Sequence, residues 1–492
     1  MISQQPQLSR RALIGGLAGA PLLASGSAWA QAFAPQSWQS DIDLLREVFE
    51  TLHPGLHRYR TPSQVTEGFQ QLRQSWAHPN SLAEAYLALS RFLGQLQCGH
   101  SYANFFNQKR AITDQLFAPL PRLPFAFQWL GNDMVVTRNF SRDARLVPGT
   151  RILSINGQST HRILAQLMPY ARADGGNDAK RRALLGMRAE EDWDYFDIFF
   201  GLLNAEAKSF RIQAQLPFGQ PLTTEFAPVS LNERRGHKSQ AKPSADWAAP
   251  DIAWTLQKKG AVALLTMPGW AVYNSKADWQ SWIHARMDEI VSDGTKSLVI
   301  DLRGNEGGLD CGHEIIARLI DRPVSARLYD RRVRYRDVPQ QLIPYLDTWD
   351  RSFDHLGAEA RDIGNGFYQL PLNGEDQILP KGQRFTGKVA VLTEPMNSSA
   401  TFNFALLMRT YGLGQLVGGP TGGNQRGING GAFYFLRLPA SGLEVDVPLI
   451  GYFPQTPRPD AGVMPDIAIM PTAQDIAKGR DPVLERALQT VS

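Results

Sequence analysis

Apolar runs in the second half of the chain, AVALLT (261–266), SLVID (297–301), KVAVLT (388–393) and GQLVGG (414–419), alternate with helix-like patterns. Strand-like apolar runs alternating with helical patterns imply repeated βα units, so this alternation constrains residues 251–492 to an α/β core. Each run also ends in a glycine-rich or polar turn.

The chain has 492 residues, more than one hydrophobic core usually organises, and several domains are expected. Hydrophobic residues make up 43% and charged residues 20%, the balance of a folded globular protein. The formal charge of +4 is too small to argue for nucleic acid as a partner. The arginine run RRVRYR (331–336) alternates with Val333 and Tyr335 as a solvated strand face does.

At the N-terminus, LSRRALIGGLAGAPLLASGSAWAQA places Arg10 and Arg11 before a short apolar stretch and a small-x-small site at Ala28-Trp29-Ala30. This predicts a twin-arginine export signal over residues 1–30, and a periplasmic or secreted protein. The stretch is shorter than the roughly 20 residues of a membrane span, and no later segment supplies one.

Residues 31–115 read as a helical domain. Ile42, Leu45, Phe49 and Leu52 recur at helical spacing, and Ser81 to Glu84 has a capping-box pattern ahead of Tyr86, Leu89 and Leu93. The domain ends in CGHS, a glycine turn displaying His100. Residues 116–229 contain a strand with Ile152 and Ile155, a tight turn at Asn156-Gly157 and a helix with Ile163, Leu164 and Leu167, a signature that resembles a PDZ domain; EEDWDYFDIFFGLL (190–203) reads as a buried helix within it. The polar stretch 230–250 reads as a linker.

VLTEPMNSSATFNFALLMR (391–409) raises the functional question. Ser398 and Ser399 stand where a strand passes into a helix, and either they cap that helix or one is a nucleophile presented at its N-terminus. The turn GNEGG (304–308) also precedes a helical run, so the N–H of Gly307 or Gly308 can face an anion. It lacks the lysine and hydroxyl of a phosphate loop. His313-Glu314 is followed by Ala317 where a zinc protease needs its second histidine, and no G-x-S-x-G surrounds Ser399. Two cysteines, Cys98 and Cys311, exclude a disulfide scaffold and a four-cysteine metal site.

DLRGNEGG, NSSATFNFALLMRTYG and VGGPTGGN occur in an order and spacing that resemble the serine-peptidase family of the C-terminal processing (tail-specific) peptidases and the tricorn core protease. The resemblance implies a crotonase/ClpP-like α/β core with a PDZ-like domain and an N-terminal helical domain. It implies a nucleophile at Ser399, an oxyanion hole from Ala400 N–H and Gly307 or Gly308 N–H, a polypeptide substrate, and no metal or organic cofactor. Processing peptidases carry a base lysine where this chain has Asn424. The tricorn-like branch uses a histidine in a GH turn, which falls on His100, although Cys98 replaces the aspartate usual two residues earlier. His313 is the rival base, by its nearness to GNEGG. The orienting carboxylate implied downstream of the serine falls on Asp460, with Glu444 open and Asp466 read as structural.

The same core also resembles the repeats of interphotoreceptor retinoid-binding proteins, which keeps a non-catalytic binder of apolar ligands or peptides as an alternative. A Cys98–Cys311 bond, favoured by an oxidising compartment, and any oligomeric assembly are left open.

Overall fold

A computed structural model describes residues 38–79, 81–237 and 252–492. The expected export signal and residues 238–250 of the expected linker lie outside the described residues. Two compact units emerge, each assembled from separated stretches of chain. One takes residues up to Thr113 with Tyr329–Asn373 and Gly427–Pro457; the other takes Asp114–Leu328, Gly374–Arg426 and Arg458–Ser492.

The second unit contains the α/β core expected from the apolar runs. Its strands are β1 (Thr255–Lys259), β2 (Val262–Thr266), β3 (Ser297–Asp301), β4 (Lys388–Thr393), β5 (Gln415–Gly418) and β6 (Ile467–Ala468), and the sheet order is β6-β5-β4-β3-β2-β1. All neighbours are parallel except the β1–β2 hairpin. The helices that matter for the site are α1 (Trp279–Ser292) after β2, α2 (Cys311–Ala317) after β3, α3 (Ala400–Thr410) after β4, and α4 (Pro482–Val491) at the C-terminus. Leu264, Val299, Ala390, Leu392 and Val417 from four adjacent strands pack with Val483, Ala487 and Val491 of α4. These apolar side chains hold β3 and β4 side by side, and their C-terminal loops therefore emerge together.

The same unit carries an antiparallel sheet, in the order Phe125–Leu130, Asp133–Asn139, Arg151–Ile155, Phe210–Gln215, Pro221–Phe226. Asn156 (φ 51°) and Gly157 (φ 80°) make the two-residue turn with both φ positive that an Asn-Gly pair supports. The chain then caps the helix Thr160–Leu167 through Ser159 Oγ, 3.3 Å from Arg162 N. The aromatic segment forms the helix Tyr195–Leu203, with Phe196, Ile198 and Phe200 buried. Within the stretch read as a linker, Ser230 and Glu233 form a capping box on a short helix, Leu231–Gly236.

The first unit combines the helices Trp38–Leu52, Pro62–Ser75 and Leu82–Gln95 with an antiparallel sheet whose main strands are Asn429–Arg437, Glu444–Pro454 and Tyr329–Val333. The helical segment is tied to that sheet by polar contacts: buried Asp41 accepts from Ala440 and Ser441 N–H at 2.9 and 2.7 Å, and Asn104 Nδ2 donates to Asp446 at 2.8 Å. Val333 and Tyr335 are buried, while Arg332, Arg334 and Arg336 stack on Phe453, Phe367 and Tyr368. No helix among the described residues is long and apolar enough to cross a membrane.

Candidate active site

Ser399 is the residue immediately before α3, and its backbone takes φ 51°, ψ −123°. Residues with a side chain rarely occupy that region, and such strain persists only where the surroundings enforce it. The enforcing contacts come from Asn397, whose Nδ2 donates to the Leu302 and Asn305 carbonyls at 2.6 and 3.1 Å, and from Thr401, whose Oγ1 donates to Asn305 O at 3.0 Å. The two serines separate in role. Ser398 is buried, and its Oγ donates to Glu306 O at 3.1 Å. Ser399 makes no capping bond, and its hydroxyl has no hydrogen-bond partner among the described residues.

The GNEGG loop runs past this turn. A Cβ on Gly307 (φ 102°) would lie 2.8 Å from Ser398 O and 2.9 Å from both Ala400 N and Ser399 Cβ, so only a glycine lets the loop approach this closely. Gly308 (φ 138°) is bridged to Trp270, whose carbonyl accepts from Leu309 N at 2.9 Å. Gly307 N–H is engaged by Asn305 Oδ1 at 2.9 Å. The N–H groups of Gly308 and of Ala400, the first residue of α3, make no such bond to a described residue. Of the two glycines considered from the sequence, Gly308 is thus the one with its donor available.

The loop is pinned along its length. Arg303 is paired to Asp301 and to Asp481, the latter at 2.7 Å, and Gly304 N–H donates to Glu394. Buried Asn305 donates to Met267 O at 2.9 Å. The Glu306 carboxylate receives Arg172 at 3.0 Å and Lys180 at 2.9 Å. Burial pushes this carboxyl up, and the two cations outweigh it and bring it down to about 2. About a third of the Glu306 side chain, 37%, still meets solvent, which screens the pairing.

In the first unit, the CGHS turn is held on both sides of His100. Asn429 Nδ2 lies 3.3 Å from Cys98 Sγ. His53 Nδ1 accepts from Gly55 N at 3.2 Å, which leaves the proton on Nε2 to donate to Ser101 Oγ at 2.9 Å. The His100 ring rests 5.8 Å from Phe433, centroid to centroid, and beside Gly430, where a Cβ would come within 3.8 Å of Nε2. Glu444, in the same unit, is buried, with Arg437 at 3.8 Å.

Asp460 is in the second unit. It accepts from Asn424 Nδ2 at 2.6 Å, Gly176 N at 3.1 Å and Arg426 at 3.2 Å. Burial raises its carboxyl, and these hydrogen bonds outweigh burial and leave it below its ordinary value. Asp466 accepts from Leu416 N and Arg409, both at 2.7 Å, a structural tie between β5 and α3. His313 lies in the first turn of α2, and its Nε2 is buried with no hydrogen-bond partner among the described residues. Cys98 and Cys311 are both buried and neither is in a disulfide in this structure; burial pushes the Cys311 thiol far up. No group of three or more His, Cys, Asp or Glu side chains is placed to hold a metal among the described residues.

Residues 261–469, which span β2 to β6 and include both the glycine loop and Ser399, match the model of peptidase family S41. Over those residues the chain is similar to peptidase family S41. It is a serine-type peptidase of mixed α/β fold. Mature CPAF complexed with lactacystin is similar over 92% of this chain and 97% of that one, at 15% identity and a TM-score of 0.64. Mature CPAF is similar over 90% and 94%, at 15% identity and 0.62. At these identities the likeness is one of fold. No curated protein matches the chain by sequence.

Several residues around the candidate site escaped the sequence reading. Lys180, Glu306 and Asn305 shape the loop and the Ser399 turn, and His53 braces the CGHS turn. Lys180 lies in NDAKRRAL, where three neighbouring cations give no hint of which is buried. Glu306 was visible in GNEGG only as a filler between glycines.

Proposed function

We propose that this serine-type peptidase is an exported endopeptidase that cleaves polypeptides through an acyl-enzyme on Ser399, with His100 as the general base. The observation that carries this reading is the Ser399 hydroxyl: it caps nothing, sits on an enforced turn at a helix N-terminus next to the available N–H of Ala400, and the GNEGG loop, with the available N–H of Gly308, packs against that turn through Gly307. Those two donors are suited to an oxyanion hole, facing the charge that develops on the scissile carbonyl. A neutral imidazole at His100 would take the Ser399 proton and return it to the leaving amine. Asp460, or Glu444 in the unit that holds His100, orients the ring. Asn424 cannot replace the base, since an amide does not accept a proton at neutral pH and its own groups are already committed. The antiparallel sheet with the helix Thr160–Leu167 supports a PDZ-like role in holding substrate ends or gating access.

Labelling with a fluorophosphonate tests the reading. Wild-type protein should be phosphonylated once, at Ser399, while Ser399→Ala takes up none, and His100→Ala should lose nearly all labelling and turnover with its fold intact. A folded wild-type protein inert to the probe would favour a non-catalytic binder, and labelling of His100→Ala at the wild-type rate would remove His100 as the base.

A further inference from the structure

Lys180 lies on the short helix Asp178–Leu184, which Asn177 opens by accepting from Lys180 N at 3.2 Å. Its side chain is only 2% exposed. An ammonium group has three N–H donors, and three oxygen acceptors surround this one: Glu306 Oε2 at 2.9 Å, Met396 O at 3.1 Å and Ser398 Oγ at 3.4 Å. Two separate loops supply them. Glu306 directly precedes Gly307, and Met396 and Ser398 lead into Ser399. Ser398 closes the circuit by donating to Glu306 O at 3.1 Å.

A buried cation is a costly way to fill space, and an apolar side chain of similar length would hold the helix at least as well. What only the ammonium supplies is three donors converging from one atom on both loops. We propose that Lys180 is a positioning residue that fixes the Gly307–Gly308 loop against the Ser399 turn, so that the Gly308 and Ala400 N–H groups face one point. The proposal rests on the reading of Ser399 as the nucleophile.

The charged groups facing the ammonium are Glu306, Arg172 and Arg188, the last paired with Glu394 at 2.9 Å; on its own helix, Asp178 and Arg181 pair with each other at 2.8 Å. Burial lowers the lysine, Glu306 opposes that, and the two arginines add to it, for a value of about 8. Above that pH the proton is lost, and with it one of the three donors.

The test is the second-order rate of fluorophosphonate reaction with Ser399 between pH 6.5 and 9.5. For wild type the rate should fall again as the pH passes upward through about 8. Lys180→Met should react about 10- to 100-fold more slowly at neutral pH, a loss comparable to or below that of one oxyanion donor, and should lack the alkaline fall. Its melting temperature should stay near wild type, because Glu306 retains Arg172 and its exposure to solvent.

Glu306→Gln supplies a second arm that does not require Lys180→Met to fold. With the nearby negative charge removed, the ammonium loses its proton more readily, and the alkaline fall should move to lower pH. Wild-type rate and pH profile in Lys180→Met, or an unmoved alkaline fall in Glu306→Gln, overturns the proposal for Lys180 alone. A wild-type protein that never reacts at Ser399 overturns the nucleophile reading and this proposal with it.

Discussion

Asn424 Nδ2 donates to Asp460 Oδ1 at 2.6 Å. The position at which processing peptidases resemble this chain except for a base lysine is therefore occupied by a residue that holds a carboxylate. Asn424 also donates to Asp174 O at 3.1 Å and accepts from Arg426 N at 2.9 Å, and it is fully buried. The amide joins the segment after β5 to the loop that carries Asp174 and Gly176.

Removing that amide should cost stability rather than chemistry. Asn424→Ala leaves a buried carbonyl and part of a carboxylate without a donor, a loss of about 1 to 3 kcal/mol. Denaturant midpoints should report that loss while fluorophosphonate still labels Ser399. A well-folded variant with no labelling would make Asn424 part of the chemistry instead.

Gly307 should be intolerant of even one methyl group. In Gly307→Ala the new Cβ would meet Ser398 O, Ala400 N and Ser399 Cβ at under 3 Å, with φ at 102°. Displacing the loop from the Ser399 turn should lower turnover by about 10²-fold or more, the scale of a lost oxyanion donor. Gly219, at φ 91° in an open hairpin, has nothing within 4 Å. Gly219→Ala should cost about 1 kcal/mol of backbone strain and leave activity unchanged. Equal activities in the two variants would show that crowding at Gly307 is harmless.

Acid should weaken the first unit through His53. Burial, aided by the Arg58 cation, lowers this imidazole from 6.5 to about 3, so the folded chain keeps it neutral. The unfolded chain takes up a proton below pH 6.5 that the folded chain refuses until about pH 3, so stability falls as the pH drops through that window. At about 1.4 kcal/mol per pH unit, the loss between pH 6.5 and 5 is about 2 kcal/mol. His53→Gln should flatten this dependence in denaturant titrations at the two pH values. An unchanged slope would mean that other groups set the acid sensitivity.

Export can be tested in cells. Arg10→Lys with Arg11→Lys should leave the protein in the cytoplasm with residues 1–30 uncleaved, as fractionation and N-terminal sequencing would report. Normal periplasmic accumulation would show that another route reads the signal.

Local patterns carried much of this molecule into view. The runs at 261–266, 297–301 and 388–393 became β2, β3 and β4 because apolar residues buried on both faces of a sheet leave a continuous signal within five or six positions. Asn156-Gly157 and Ser81 likewise settled their turn and cap through the preferences of adjacent atoms. The pair of adjacent serines marked the strand-to-helix joint. Tertiary structure distinguishes their hydrogen bonds: Ser398 Oγ donates to Glu306 O, and the Ser399 hydroxyl has no partner among the described residues.

What belonged to tertiary structure alone was which distant segments share a unit and which polar groups meet. The helices before Thr113 share their unit with strands more than 300 residues away, and Asp41 reaches Ala440 and Ser441. Lys180 joins Glu306 and Ser398 across 126 and 218 positions. Hydrophobic periodicity is written within a turn or two of chain, because it reflects which face of one element is dry. A buried ion pair or a brace between two loops depends on both loops arriving together, and no property of either loop's own sequence encodes the other's address.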